Sequence, residues 1–335
     1  MPSSFEKINY SLRPNKGIER KMMCEVFNRL TLLDQLNNYR YIGMGSAYFA
    51  DFTLFHKTLG ITDLISIEKE EAKKTRFEFN KPYSCIEIKY GNSSTILPNL
   101  ELEKKKNIVW LDYDDKISDY MFADIDTFFA NAAPGSLFLL SVNVEEEHLP
   151  QGQENDPKPI TLKEYRLNEM LRKVGQEKLP NEYITVNFNT KNRTAATYEM
   201  VKRQIDTTLI IRNLSTENKI TYKQIFNFIY RDNATILTIG GIIYDESQKD
   251  KIDEMIFSNL EFTRESEDQY KISAPNLTFR EIKALDKALP DKFNAEIEKG
   301  KFKNKKLQDI PVILSDIQSY TKVYRYYPNF AEALI

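Results

Sequence analysis

Tyr41-Ile42-Gly43-Met44-Gly45-Ser46-Ala47-Tyr48-Phe49, followed by Ile65-Ser66-Ile67-Glu68, is the stretch that decides the fold. An apolar run leads into a turn punctuated by glycines, a helix follows, and a second apolar run ends on a carboxylate. This order is typical of a nucleotide-shaped cofactor bound at the carboxyl ends of parallel strands. The glycines allow close approach of the backbone, and Glu68 is placed to accept both hydrogen bonds of a ribose diol.

The chain on either side of this stretch predicts an α/β fold. Apolar residues at helical spacing predict a helix over 17–38, and repeated strand-helix units predict a mostly parallel sheet with helices on both faces. Two β-rich runs, 221–230 and 235–244, are joined by a short polar connection that predicts an antiparallel hairpin. We therefore expect a seven-stranded sheet, with strands at 39–43, 63–68, 85–90, 108–112 and 136–142 and in the two arms of the hairpin.

The chain divides into three predicted parts. Residues 1–38 form an N-terminal segment and helix on the substrate side, and 39–245 form the cofactor-binding domain. A polar, proline-punctuated stretch at about 143–190 is predicted to be an insertion over the cofactor edge. Residues 246–335 are predicted to be a helical extension, with helices opening at Asp253 and at the capping box of Thr278 and Glu281 and an aromatic tail at 324–328.

Composition excludes several classes of protein. The net charge is −2, so a nucleic-acid partner would need a local basic patch such as the one formed by Lys301, Lys303, Lys305 and Lys306. Only two cysteines occur, which excludes a disulfide framework. No signal-peptide core and no run of about 20 apolar residues is present. We expect a cytoplasmic protein without a membrane partner.

Taken together, these parts resemble a class I, Rossmann-like S-adenosylmethionine-dependent methyltransferase, in its O-methyltransferase-like branch. The resemblance covers about residues 17–245 and rests on the order of parts: the glycine turn, Glu68 after strand two, Gly91-Asn92 after strand three, Asp112 after strand four, and the closing hairpin. It implies S-adenosylmethionine as cofactor and methyl transfer to the oxygen or nitrogen of an acceptor, which the sequence does not identify as a small molecule, nucleotide, RNA or protein.

The resemblance also implies which residues hold the cofactor. The turn residues Gly43, Gly45, Ser46 and Ala47 match the cradle for its methionine end, and Glu68 matches the carboxylate that binds the ribose hydroxyls. Asn92, with Ser93 behind it, matches the polar residue against the adenine amine, and Asp112 matches a residue facing the methionine moiety or the substrate. One position departs from the family pattern: Tyr41 stands where an acidic residue is usual, and Asp51 or Asp112 is a candidate for the missing charge.

Three carboxylates follow strand four and are the candidates for chemistry. Asp112 and Asp114 are predicted to be catalytic, orienting a nucleophile or accepting its proton, while Asp115 is predicted to be structural. A divalent cation is possible there, although no metal-ligand spacing occurs anywhere in the sequence. His56 and His148 are expected to be a packed or surface residue and a loop residue. The candidate substrate contacts are Arg13, Lys16, Arg20 and Tyr113.

Two other functions fit the same residues. A non-catalytic protein that keeps the fold for sensing S-adenosylmethionine or a nucleotide would explain Tyr41. A nicotinamide-dependent oxidoreductase would also use Gly43, Gly45 and Glu68, although Tyr48 occupies its third glycine position and the terminal hairpin disfavours it.

Overall fold

A computed structural model describes residues 13–150, 160–290 and 312–328. Its centre is one sheet of eight strands in the spatial order β3-β2-β1-β4-β5-β7-β6-β8. The strands are β1 Arg40–Gly43, β2 Asp63–Glu68, β3 Ile86–Tyr90, β4 Asn107–Asp112, β5 Leu137–Asn143, β6 Ile220–Arg231, β7 Thr235–Asp245 and β8 Tyr270–Lys271. Strands β1 to β5 run parallel, and β7 joins β5 antiparallel as one arm of a hairpin with β6. The predicted fold class is thereby confirmed.

Ten α-helices among the described residues surround or extend the sheet. They are α1 Pro14–Arg29, α2 Ala50–Leu59, α3 Lys74–Asn80, α4 Ser93–Ile96, α5 Asp119–Asn131, α6 Leu162–Val174, α7 Thr190–Ser215, α8 Lys249–Glu254, α9 Phe279–Asp286 and α10 Leu314–Val323. Helices α6 and α9 both begin with a capping box, at Thr161 with Glu164 and at Thr278 with Glu281. No helix in the described ranges is long and apolar enough to cross a bilayer.

Alternate residues of the central strands divide the core between the two faces. On β4, Trp110 packs into the cluster that contains α1 and α2, whereas Val109 and Leu111 pack into the cluster that contains α5 and α7. This two-sided burial is the reason that the parallel strands are apolar almost throughout. Helices thus cover both faces and leave the carboxyl ends of the strands as the open edge.

Three predicted details are wrong. The sheet has eight strands rather than seven, because the two-residue β8 adds parallel to β6 at Phe228 and Ile229. The N-terminal helix ends at Arg29, and short 3-10 turns at Leu30–Leu32 and Leu36–Asn38 replace its last predicted part. The helix expected to open at Asp253 instead begins at Lys249.

Candidate functional site

A cavity of about 620 Å³ opens at the carboxyl ends of β1, β2 and β4. Its volume lies in the range of pockets that enclose small ligands. It is lined by Arg20, Met44, Gly45, Ser46, Ala50, Asp51, Ile67, Glu68, Lys69, Glu70, Phe77, Gly91, Asn92, Ser93, Ser94, Asp112, Tyr113, Asp114, Asp115 and Tyr120. The site residues predicted from the glycine turn, from β2 and from β4 therefore meet at one place.

The turn after β1 is closed by a short chain of hydrogen bonds. The backbone N–H of Gly45 donates to Ser66 Oγ at 3.0 Å, and the Ser66 hydroxyl donates to Glu68 Oε1 at 2.8 Å. A Cβ at Gly45 would lie 2.6 Å from Phe49 Cδ1 and 2.8 Å from Ser66 Oγ. The turn therefore requires glycine at this position.

The other three predicted turn residues differ in their placement. Ser46 lines the cavity and has a left-handed φ of 51°, as the backbone of a tight turn requires. Gly43 does not line the cavity, because the Tyr41 ring lies against it. Ala47 packs with Phe77 in a small apolar cluster and is also outside the cavity lining.

Glu68 ends β2 with its carboxylate at the cavity wall, only 7% exposed. Burial raises the pKa of Glu68 to about 7, although hydrogen bonds from Ser66 and from the backbone of Ser46 and Gly45 oppose the rise. Near neutral pH both the charged and the neutral form of this carboxyl group are therefore populated.

Asn92 and Ser93 lie beyond β3, where the short helix α4 begins. Asn92 is exposed and its side chain makes no capping bond, so its amide lies at the cavity without an intrahelical role. The Ser93 hydroxyl is engaged: it donates to Asp124 Oδ2 at 2.7 Å and lies 2.9 Å from the Tyr113 hydroxyl, which also donates to Asp124. Burial raises the pKa of Asp124, against the effect of these two hydrogen bonds.

Asp112 is held at the end of β4 by a fully buried lysine. Lys16 Nζ lies 2.7 Å from Asp112 Oδ1 and 2.9 Å from Glu19 Oε2, and 4.1 Å from the centre of the Trp110 ring. Glu19 in turn accepts hydrogen bonds from the hydroxyls of Tyr230, at 3.0 Å, and Thr238. Burial would raise the pKa of Asp112, but the cations Lys16, Arg13 and Arg20 lower it below its ordinary value.

A second buried ion pair joins Arg20 of α1 to Asp51 in the first turn of α2. Their side chains are 8% and 5% exposed, and both residues line the cavity. Tyr41 lies beside them with its ring edge-on to Phe52 and Phe55. Burial raises the pKa of Tyr41 far above its ordinary value, and the nearby carboxylates of Asp51 and Asp112 add to the rise.

Some of the remaining candidate residues line the cavity, and the others lie elsewhere in the fold. Asp114, Asp115 and Tyr113 line the cavity. Arg13 does not line it and instead pairs with Asp232 in the β6–β7 connection, 3.4 Å away. His56 packs against Tyr83 and His148 is exposed, as expected. The basic patch at 301–306 lies outside the described residues, and within the described ranges no group of three potential ligands could hold a metal ion.

Several residues of this site escaped the sequence reasoning. Asp124 and Glu19 are fully buried carboxylates inside helices, where a sequence gives no sign that a charged side chain faces the core rather than solvent. Phe77 and Tyr120, which supply apolar wall, also lie on helices outside any motif. For the hairpin residue Tyr230 the sequence does indicate burial, since an aromatic residue in a β-rich run is expected to be buried.

The residues present fit an adenosine-bearing cofactor with a charged end. The close-packed glycine turn, the acceptor oxygens of Glu68, the amide of Asn92 and the Arg20–Asp51 pair surround a single cavity. One protein family matches residues 8–335 of the chain, and its description is "Putative O-methyltransferase". No curated protein matches the sequence.

Solved structures that match the chain include Trm1 from Pyrococcus horikoshii in complex with S-adenosyl-L-methionine, at 11% identity and a TM-score of 0.43, covering 76% of this chain and 61% of that one. The O-methyltransferase from Bacillus cereus in complex with SAH matches at 10% identity and a TM-score of 0.38, covering 71% of this chain and 86% of that one. The present chain thus spans less than two thirds of the length of the Pyrococcus protein.

Proposed function

The chain belongs to the putative O-methyltransferase family, and we propose that it transfers a methyl group from S-adenosylmethionine, bound in the cavity, to a hydroxyl oxygen of an acceptor. The observation that carries the proposal is that one cavity brings together the glycine turn, Glu68 and Asp112. The resemblance to class I S-adenosylmethionine-dependent methyltransferases is confirmed by the family match, and a nicotinamide-dependent oxidoreductase is set aside by it.

The cofactor is assigned to the residues that line the cavity. Glu68 accepts hydrogen bonds from the ribose hydroxyls, and Asn92 faces the adenine amine. Gly45 and Ser46 supply the backbone that lies against the methionine end. Gly43 and Ala47 lie outside the lining and shape the turn. Ser93 lines the cavity, and its hydroxyl holds Tyr113 and Asp124 in place.

Methyl transfer requires alignment of the acceptor oxygen with the methyl group more than it requires a strong base. When bound, S-adenosylmethionine supplies an electrophilic methyl group, whose bond to sulfur breaks as the acceptor oxygen bonds to carbon. Asp112 stays ionised because Lys16 lies 2.7 Å away, and it accepts the hydrogen bond of the acceptor hydroxyl and so orients its lone pair. The proton of the acceptor hydroxyl passes to Asp112, which accepts its hydrogen bond, or to Asp114, which also lines the cavity.

The acceptor enters the part of the cavity lined by Tyr113, Tyr120 and the carboxylates after β4. We retain the division into 1–38, 39–245 with the insertion at about 143–190, and 246–335 as a proposal. We also propose the cytoplasmic location expected from the sequence, since Cys24 and Cys85 are both free thiols.

The experiment that tests this function is methyl transfer from labelled S-adenosylmethionine to pools of hydroxyl-bearing acceptors, with products identified by mass spectrometry. Wild type is expected to give a methylated product, and Asp112→Asn to lower kcat at least about tenfold. Cofactor binding without any turnover over broad pools would instead support the non-catalytic sensor. Tyr113→Phe keeps the aromatic ring that lines the acceptor side of the cavity and removes only the hydroxyl. It therefore distinguishes a contribution of the ring from one of the hydroxyl.

A further inference from the structure

The Arg20–Asp51 pair is a costly feature at the place where it lies. Both side chains are more than nine-tenths buried, and both residues contribute to the cavity wall beside Gly45 and Ser46. Desolvating two charges is expensive, and apolar residues of the same volume often stabilise a fold equally well. A buried pair that also faces a ligand cavity therefore suggests a role in recognition.

The pair presents one positive and one negative group, which is what a binding site for a zwitterion requires. A carboxylate at the cavity wall accepts hydrogen bonds from an ammonium group, and a guanidinium presents N–H donors to a carboxylate. An α-amino-acid group carries both charges a few bonds apart. The Arg20–Asp51 pair is thus complementary in charge to the amino-acid end of a ligand, whereas adenosine carries no charge.

The neighbouring groups leave Asp51 as the carboxylate for this task. Tyr41, at the position where an acid was expected, keeps a neutral hydroxyl because it is buried against Phe52 and Phe55. Asp112 is paired with the fully buried Lys16, whose Nζ lies 2.7 Å away, and the proposed function assigns it to the acceptor hydroxyl. Asp51 lies in the first turn of α2, at the end of the glycine turn.

We propose that Arg20 and Asp51 form the subsite for the α-amino-acid end of the cofactor, with Asp51 binding its ammonium and Arg20 its carboxylate. This inference rests on the proposed function, since it takes S-adenosylmethionine to be the ligand. It moves the recognition of the amino group from the end of β1, where Tyr41 stands, to the pair formed by α1 and α2.

Three ligands test the subsite by calorimetry on the full chain. S-adenosylhomocysteine has both charges, S-adenosyl-3-thiopropylamine lacks only the carboxylate, and 5′-methylthioadenosine lacks the whole amino-acid end. Wild type is expected to bind S-adenosylhomocysteine at least about tenfold more tightly than 5′-methylthioadenosine. This comparison needs no variant, so it holds even if a substitution at the pair prevents folding.

Variants then assign the two charges. Asp51→Asn should weaken S-adenosylhomocysteine and the amine at least about tenfold while leaving 5′-methylthioadenosine within about twofold. Arg20→Met should weaken S-adenosylhomocysteine relative to the amine. Asp126→Asn is the matched control, because Asp126 accepts hydrogen bonds from Gln204 and Thr208 away from the cavity.

Two results would overturn the subsite while leaving the proposed function intact. One is equal affinity of wild type for S-adenosylhomocysteine and 5′-methylthioadenosine. The other is equal weakening of all three ligands by Asp51→Asn, which would mean a purely structural pair. Failure of wild type to bind any of the three would instead overturn the proposed function, and the subsite with it.

Discussion

Lys16 occupies an environment that is rare for a lysine. Its side chain is fully buried, and its ammonium lies between the carboxylates of Asp112 and Glu19 and over the ring of Trp110. From the sequence it was a candidate substrate contact, since it belongs to a basic cluster at the start of a helix. The structure places it outside the cavity lining, and a direct contact with the substrate stays an untested prediction. We propose that it positions Asp112, whose Oδ1 lies 2.7 Å from its Nζ.

Removing that ammonium should be costly. Lys16→Met leaves two carboxylates, those of Asp112 and Glu19, without their shared cation, and such a break typically costs about 3 to 5 kcal/mol. Urea denaturation should show a loss of that order in the free energy of unfolding. The pKa of Asp112 should rise in the same variant.

Two further variants separate charge from volume. Adding Glu19→Gln to Lys16→Met should recover part of the stability, because glutamine still accepts from Tyr230 and Thr238 but carries no charge. Lys104→Met removes an exposed partner of Glu101 and should leave stability nearly unchanged, because solvent screens this surface pair. A Lys16→Met loss no larger than that of Lys104→Met would contradict the positioning role.

Glu68 should make cofactor binding depend on pH near neutrality. Its pKa is raised to about 7 by burial, so the carboxyl group is mostly protonated at pH 6 and mostly ionised at pH 8. A protonated carboxyl group is a poorer partner for two ribose hydroxyls. The affinity for S-adenosylhomocysteine should therefore fall about tenfold from pH 8 to pH 6, as measured by calorimetry.

Glu68→Gln is the control for this pH dependence. Glutamine keeps one acceptor oxygen but does not titrate, so the variant should bind more weakly and lose the slope between pH 6 and pH 8. If the slope persisted in Glu68→Gln, another group would be responsible for it.

At the scale of elements, the glycine turn is sensitive to one added methyl group. In Gly45→Ala the new Cβ would lie 2.6 Å from Phe49 Cδ1 and 2.8 Å from Ser66 Oγ. The turn must then shift, and we expect a loss of about 1 to 3 kcal/mol in stability together with weakened cofactor binding. Denaturation and calorimetry on the same preparation measure both.

Gly17→Ala is the matched control for this change. Gly17 lies within α1, and among the described residues an added Cβ would come close only to Pro328 Cβ, at 3.9 Å. Alanine favours a helix over glycine, so this variant should be neutral or more stable by up to about 1 kcal/mol. Equal effects of the two substitutions would show that the turn is not selectively constrained.

The order of the elements could be predicted from the sequence, because apolar runs, glycines and prolines report local structure directly. This holds for β1 to β5, the hairpin, and the capping box that opens α9. The strand β8 could not be predicted, since two residues carry no periodicity. Contacts between distant elements, such as that of Glu19 with Tyr230, depend on tertiary packing that no local pattern records.

At the scale of the whole molecule, α1 and the terminal hairpin are joined to the central sheet. Asn15 donates to the carbonyl of Arg231, and Glu19 accepts from Thr238 on β7. Residues of α1, α2, the sheet and the hairpin share one apolar cluster. The N-terminal helix α1 therefore forms one wall of the cavity and also contacts the β6–β7 hairpin.

This shared core predicts a single cooperative unfolding transition. Trp110 is the only tryptophan, fully buried on β4, and its fluorescence reports the centre of the sheet. Its denaturation curve should coincide with that of the helical signal from circular dichroism. Separate midpoints would show that the N-terminal or C-terminal part unfolds independently.

The central claim is that the cavity binds S-adenosylmethionine through Glu68. Its most direct test is calorimetry with S-adenosylhomocysteine on wild type, Glu68→Ala and Glu71→Ala, where Glu71 is an exposed acid just beyond β2 that does not line the cavity. We predict binding by wild type and Glu71→Ala with equal affinity, and at least about tenfold weaker binding by Glu68→Ala. No binding by wild type, or unchanged binding by Glu68→Ala, would contradict the account.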